Sequence, residues 1–154
     1  MNRMQILSGI KDYFKIQELV CPHVHAKYGE QAWRFFDTEF LHTLFVVRHD
    51  ILRRPMVCNN YHEGGGFSQR GLRCNLCQIV RDYTNKNQVS TLPHVVGAGG
   101  DFSIAGMTAQ QARTAIAASA AALPCPIRME DEVTWLHLDT LDTMTGRKVT
   151  LFKP

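Results

Sequence analysis

The chain has 154 residues, 45% hydrophobic and 20% charged, with a formal net charge of +3. That is the size and make-up of one soluble globular domain over residues 1–154, and the mild charge is far from the concentrated basic face that nucleic acid demands. No run approaches a membrane span, and Met4 to Ile10 is too short and too polar for a secretory signal.

The five cysteines are an odd number in a chain without a secretion signal, so reduced thiols and synthesis in the cytoplasm are expected. In chain order, Trp33, Phe36, Phe40, Leu44, Val47 and Ile51 advance by three or four and predict one amphipathic helix over 30–52, stopped by Pro55. "PMVCNNY" reads as a short buried strand, followed by the loop "HEGGGFSQRGLRCN". In "LPHVVGAGGDFSI" a histidine, His94, precedes an aspartate, Asp101, across little but glycine and small residues, which lets the chain curve closely beneath a bound group.

Thr108 and Gln111 form a capping-box pattern that opens an alanine-rich helix running to Ala122, ended by Pro124. Three strands follow: "PIRM", "VTWLHLD" and, after the Thr145-Gly146 turn, "KVTLF". The acidic cluster Glu130, Asp131 and Glu132 falls at the turn between the first two. This order predicts an α+β fold, an antiparallel sheet packed against helices.

A hydrolytic zinc centre takes three nitrogen or oxygen ligands and leaves a fourth position for water. His94 and Asp101 supply two, and His137, inside an alternating strand with Trp135 and Asp139 on its face, supplies a third. Asp139 is placed to hold the second ring nitrogen of His137. Each half alone has a plainer alternative, a surface histidine in a glycine turn and a histidine on the solvated face of an edge strand.

The cysteines raise a rival site. Cys74-Asn-Leu-Cys77 is one CxxC pair, which "CPHVH" with Cys21, His23 and His25 would complete as a four-ligand zinc; buried thiols are the favoured reading. Cys58 and Cys125 stand apart, and His42, His49 and His62 show no ligand spacing.

Together, "HVVGAGGD" and "WLHLD" resemble the zinc signature of the M15 peptidases: D-Ala-D-Ala carboxypeptidases, phage L-alanyl-D-glutamate endopeptidases and the related hedgehog fold. The resemblance covers roughly residues 30 to 140. It implies Zn2+ on His94, Asp101 and His137 and hydrolysis of peptide bonds in peptidoglycan stem peptides. It also implies a substrate-contacting arginine at Arg70 or Arg73, with Asn59 and Tyr61 as weaker contacts. Two positions depart from the pattern: Leu92 stands where many members carry serine, and Thr134 where many carry the catalytic acid.

The general base therefore falls to the acidic cluster, with Glu130 and Glu132 its leading members. A two-residue hairpin at Asp131 and Glu132 pairs Glu130 with Val133, on the face of His137 but about 13 Å along the strand from it. Glu132 is nearer in sequence and needs a bulge to face the metal. The function expected is a monomeric phage-type wall-lysis enzyme, made without a signal peptide and acting at the cell wall or periplasm after release or as a virion component. The alternatives are a non-catalytic zinc-binding protein of the same fold and a cysteine-rich nucleic-acid module.

Overall fold

Alternation along three strands divides the molecule into an apolar and a charged side. The computed structural model describes residues 1–141 and 143–154. Strand β2 (Gly99–Ile104) sets Phe102 and Ile104 against Asp101 and Ser103, and β3 (Ile127–Glu130) sets Ile127 and Met129 against Arg128 and Glu130. In β4 (Leu136–Asp139), Leu136 and Leu138 join the apolar side and His137 and Asp139 the charged one. Two outer strands, β1 (Met56–Val57) and β5 (Val149–Phe152), complete a sheet in the order β1-β2-β4-β3-β5.

The sheet is mixed, which corrects the expected antiparallel one. Pairings β1–β2, β2–β4 and β3–β4 are antiparallel, but β5 runs parallel to β3. The cause is the occupancy of β4, whose two edges already hold β2 and β3. Chain leaving β4 pairs on the outer edge of β3, and it arrives at the end where β3 begins.

The single helix expected over 30–52 is broken. A 3-10 segment, Gly29–Phe35, gives way at Phe36 to extended backbone, and Asp37 then caps α4 (Thr38–Val46) by accepting the Phe40 N–H at 3.0 Å. The last part, Val47–Leu52, widens into a π-turn. Trp33, Phe36, Phe40, Leu44 and Val47 are buried all the same, because the break preserves the face they share. An aspartate able to cap competes with helix continuation, and here it prevails.

Helix α6 (Ala109–Ala118) forms as expected, with both bonds of the Thr108–Gln111 capping box, and closes through a 3-10 turn at Ala120–Ala122. Three N-terminal helices, α1 (Arg3–Ile10), α2 (Ile16–Leu19) and α3 (Pro22–Tyr28), and α5 (Gln78–Asn85) lie outside the sequence expectation. Ile6, Ile10, Phe14, Phe40, Leu44, Phe102, Met129 and Leu136 form part of one core between helices and sheet. At about 1.5–3 kcal/mol for each large side chain fully buried, these contacts hold the strands that carry the charged face. Among the described residues no helix is long and apolar enough to cross a membrane.

Candidate metal centre

Antiparallel register brings two of the expected ligands together. Asp101 in β2 pairs directly with His137 in β4, and Asp101 Oδ1 lies 2.7 Å from His137 Nδ1. His94 arrives from a turn ahead of β2, with its Nε2 3.4 Å from Asp101 Oδ2. Gly97 makes that turn possible: its φ is +73°, and a Cβ there would lie 2.1 Å from the Phe35 carbonyl oxygen. The Asp37 N–H donates to the Gly97 carbonyl at 3.0 Å, which fastens the turn to the helical layer.

The glycines divide their work, rather than all curving the chain beneath the metal. Gly99 and Gly100 lie in β2 itself, and Gly99 pairs with Asp139. A Cβ at Gly99 would lie 2.6 Å from Pro93 Cβ and 2.8 Å from Asp139 Cβ, so its absence is what admits the Asp139 side chain.

Both histidines turn one ring nitrogen to Asp101 and fasten the other. His94 Nδ1 donates to the Gly71 carbonyl at 2.9 Å, so Nε2 is the ring nitrogen turned towards Asp101. His137 Nε2 is 2.8 Å from Asp139 Oδ2, which leaves Nδ1 towards Asp101. Carboxylate or carbonyl partners on the far nitrogen are the usual supports of ligating imidazoles. Asp139, fully buried, is in turn held by Arg128 through Nε at 2.9 Å and the terminal nitrogen at 3.0 Å.

The electrostatics follow. Burial disfavours an imidazolium at His137, but its hydrogen bonds to Asp101 and Asp139 outweigh this and raise its pKa to about 9. Burial likewise raises the carboxylates, yet bonds from His137 to both, from His94 to Asp101 and from Arg128 to Asp139 leave Asp101 and Asp139 below the usual range. The donor types fit zinc: for bonds near 2.0–2.1 Å a tetrahedral edge is about 3.4 Å, the separation of His94 from Asp101, whereas His137 and Asp101, hydrogen-bonded at 2.7 Å, would have to part to admit the ion. The proton shared by His137 and Asp101 is the one zinc would displace. Asp139→Asn should lower zinc affinity roughly 10–100-fold, read by competition with a chromophoric chelator. Unchanged affinity would remove Asp139 from the support of His137.

The remaining expected residues separate clearly. His94, Asp101 and His137 open onto a cleft of about 290 Å³ lined also by Arg73, Arg128, Glu130, Trp135 and Phe152. Arg73 lies 3.6 Å from Asp101 Oδ2 and donates through Nε to the Gln69 carbonyl. Arg70 is outside that lining: it donates to Ser103 Oγ at 2.8 Å and stacks on Phe67. Glu132 is also outside, an exposed side chain paired with Lys153 at 2.7 Å. Thr134 lines a different cleft with Phe102, Met107 and Arg113.

Glu130 gains its place because the hairpin is longer than expected. A two-residue turn pairs Arg128 with Trp135, whereas Arg128 pairs with Asp139, four residues further along. Residues 131–135 form the loop, Glu132 adopts φ +60°, and the distance separating Glu130 from His137 in the shorter hairpin is removed. Arg113 of α6 holds this loop by donating to the carbonyls of Glu130, Val133 and Trp135, each at 3.2 Å. Sequence reading missed Arg113 and Arg128. Arg128 carried a signal, since it shares a strand face with Glu130; Arg113, an arginine on an alanine-rich helix, carried none.

A second group, Cys21, His23, Cys74 and Cys77, could also hold a metal ion, its four donor atoms lying within 4.8 Å of one another. His25 is not part of it, and burial pushes the Cys77 thiol up to about 12. Comparison with protein-family models, curated proteins and solved structures finds no match for the chain.

Proposed function

We propose that the chain is a zinc-dependent peptidase of the M15 type, hydrolysing peptide bonds in peptidoglycan stem peptides as a phage-type wall-lysis enzyme. The observation that carries the reading is one cleft shared by a His–Asp–His ligand set, the carboxylate of Glu130 and the guanidinium of Arg73. When bound at His94, Asp101 and His137, zinc would polarise the scissile carbonyl and bring the pKa of a water towards neutrality.

Glu130 is the group that accepts the proton of the attacking water and returns it to the leaving amine. Arg73 is anchored by Asp101 and the Gln69 carbonyl, so its guanidinium is oriented before a stem-peptide carboxylate or developing oxyanion arrives. Trp135 lines the same cleft, and its buried Nε1–H has no hydrogen-bond partner among the described residues. Phe152 closes one side, its ring edge-on to His137 at 5.7 Å.

The test is incubation of purified protein with peptidoglycan of several wall chemistries, with and without chelator. Chelator-sensitive release of free amino groups is expected. Its absence on every wall type would overturn the peptidase reading. Thr134, in place of an acid, favours a second reading, a zinc-binding protein without catalysis. Zinc bound at the three ligands with no bond cleaved would establish that instead.

A further inference from the structure

Four side chains outside the cleft are spaced as the corners of a metal tetrahedron. Cys21 and His23 sit at the start of α3; Cys74 and Cys77 come from the turn leading into α5. Cys21 Sγ lies 3.7 Å from Cys74 Sγ, and His23 Nδ1 lies 3.6 Å from Cys74 Sγ and 3.9 Å from Cys77 Sγ. Zinc bonds of about 2.3 Å to sulfur and 2.0–2.1 Å to nitrogen imply tetrahedral edges of about 3.8 Å between sulfurs and about 3.6 Å between sulfur and nitrogen. The separations match those edges and are far from a disulfide, whose sulfurs lie about 2.05 Å apart.

The local backbone fixes where the sulfurs lie. The Leu76 N–H points at Cys74 Sγ at 3.4 Å, while the Cys77 N–H closes the turn onto the Cys74 carbonyl at 3.1 Å. This tight turn delivers both sulfurs to one side. Three thiolates and an imidazole fill four positions and leave none for water, the pattern of a structural ion rather than a catalytic one.

What such an ion would hold is visible in the residues between the two metal groups. The Cys21 N–H donates to the Leu72 carbonyl at 2.9 Å, and the Leu72 N–H to the Leu19 carbonyl at 2.8 Å. Gly71 is pressed so closely on this contact that a Cβ would lie 2.0 Å from the Leu19 oxygen. The Gly71 carbonyl is the one that orients His94, and the Arg73 N–H donates to the His94 carbonyl at 2.8 Å. Residues 71–74 thus run from the support of His94 directly into the cysteine group.

We propose that Cys21, His23, Cys74 and Cys77 bind a structural zinc ion that clamps the start of α3 to the segment supporting His94 and Arg73. The ion site stands independently of the peptidase reading; its influence on His94 rests on the reading of His94 as a ligand.

The experiment uses the full chain loaded with zinc or cobalt ions, as wild type, His94→Ala, Cys77→Ser and His23→Cys. Two equivalents of zinc are expected in wild type and His23→Cys, and one each in His94→Ala and Cys77→Ser. Cobalt-loaded wild type and His94→Ala should show an intense near-ultraviolet thiolate-to-cobalt band. Loss of the remaining equivalent and of that band in His94→Ala would overturn the proposal, a readout that holds even if Cys77→Ser does not fold. A wild type with one equivalent and an intact band would support the cysteine site and strike the His94 site instead. Folded Cys77→Ser should bind zinc at the histidine site roughly 10–100-fold more weakly; unchanged affinity would overturn the clamp.

Discussion

Glu130→Gln is expected to slow stem-peptide hydrolysis by roughly 10²–10⁴-fold, the range of a lost general acid–base group, while zinc content and thermal stability stay near wild type. Glutamine keeps the size and polarity of the side chain at the end of β3 and removes its capacity to take a proton. Glu132→Gln serves as the internal comparison, because that side chain points away from the cleft and pairs with Lys153. Steady-state kcat on a purified stem peptide, with zinc measured on the same sample, separates the two. An inactive Glu132→Gln beside an active Glu130→Gln would reverse the assignment.

The second large effect concerns stability. Arg113 is 4% exposed, and besides its three carbonyl partners it donates to Gln110 Oε1 and lies 3.5 Å from Asp131. Arg113→Met keeps an unbranched chain of similar reach but leaves those part-buried carbonyls without their donor. A loss of about 1–3 kcal/mol is expected, the range for acceptors left without their partner. The urea midpoint should fall with an unchanged slope. Because the loop it holds is bracketed by Glu130 and Trp135, activity should fall with it below the melting transition. A midpoint within about 0.5 kcal/mol of wild type, the range of ordinary surface substitutions, would show that the loop holds itself.

The sequence was most legible where structure is local. The capping box at Thr108 and Gln111 is complete within four positions, and α6 forms there. Ile127 to Glu130 and Leu136 to Asp139 became strands because their alternation survives in any register. Strand β2 was hidden. Gly99 and Gly100 have poor strand propensity, and at Gly99 a side chain would take the space that Pro93 and Asp139 occupy.

The site followed the same rule. His94, Asp101 and His137 could be joined only by combining two motifs, since the contact between Asp101 and His137 is a register and not a spacing. Which acid faces the cleft depended on the length of the loop at 131–135, and that loop is bonded to Arg113, eighteen positions before it begins. In the cysteine group, Cys21 and Cys74 are 53 residues apart, so local spacing does not show that they meet. A bridge between Val20 and Leu72 is what closes that gap.

The parallel docking of β5 has a consequence for solutions of this protein at high concentration. It leaves the sheet with two margins, one of two residues at β1 and one of four at β5. Open margins are where the sheets of separate molecules join and fibrils start, and short length and flanking charge are the common defences. Lys148 and Lys153 bracket β5, and Pro154 follows without an amide hydrogen to offer a neighbour. The strand that walls the cleft with Phe152 is thus a poor template for aggregation.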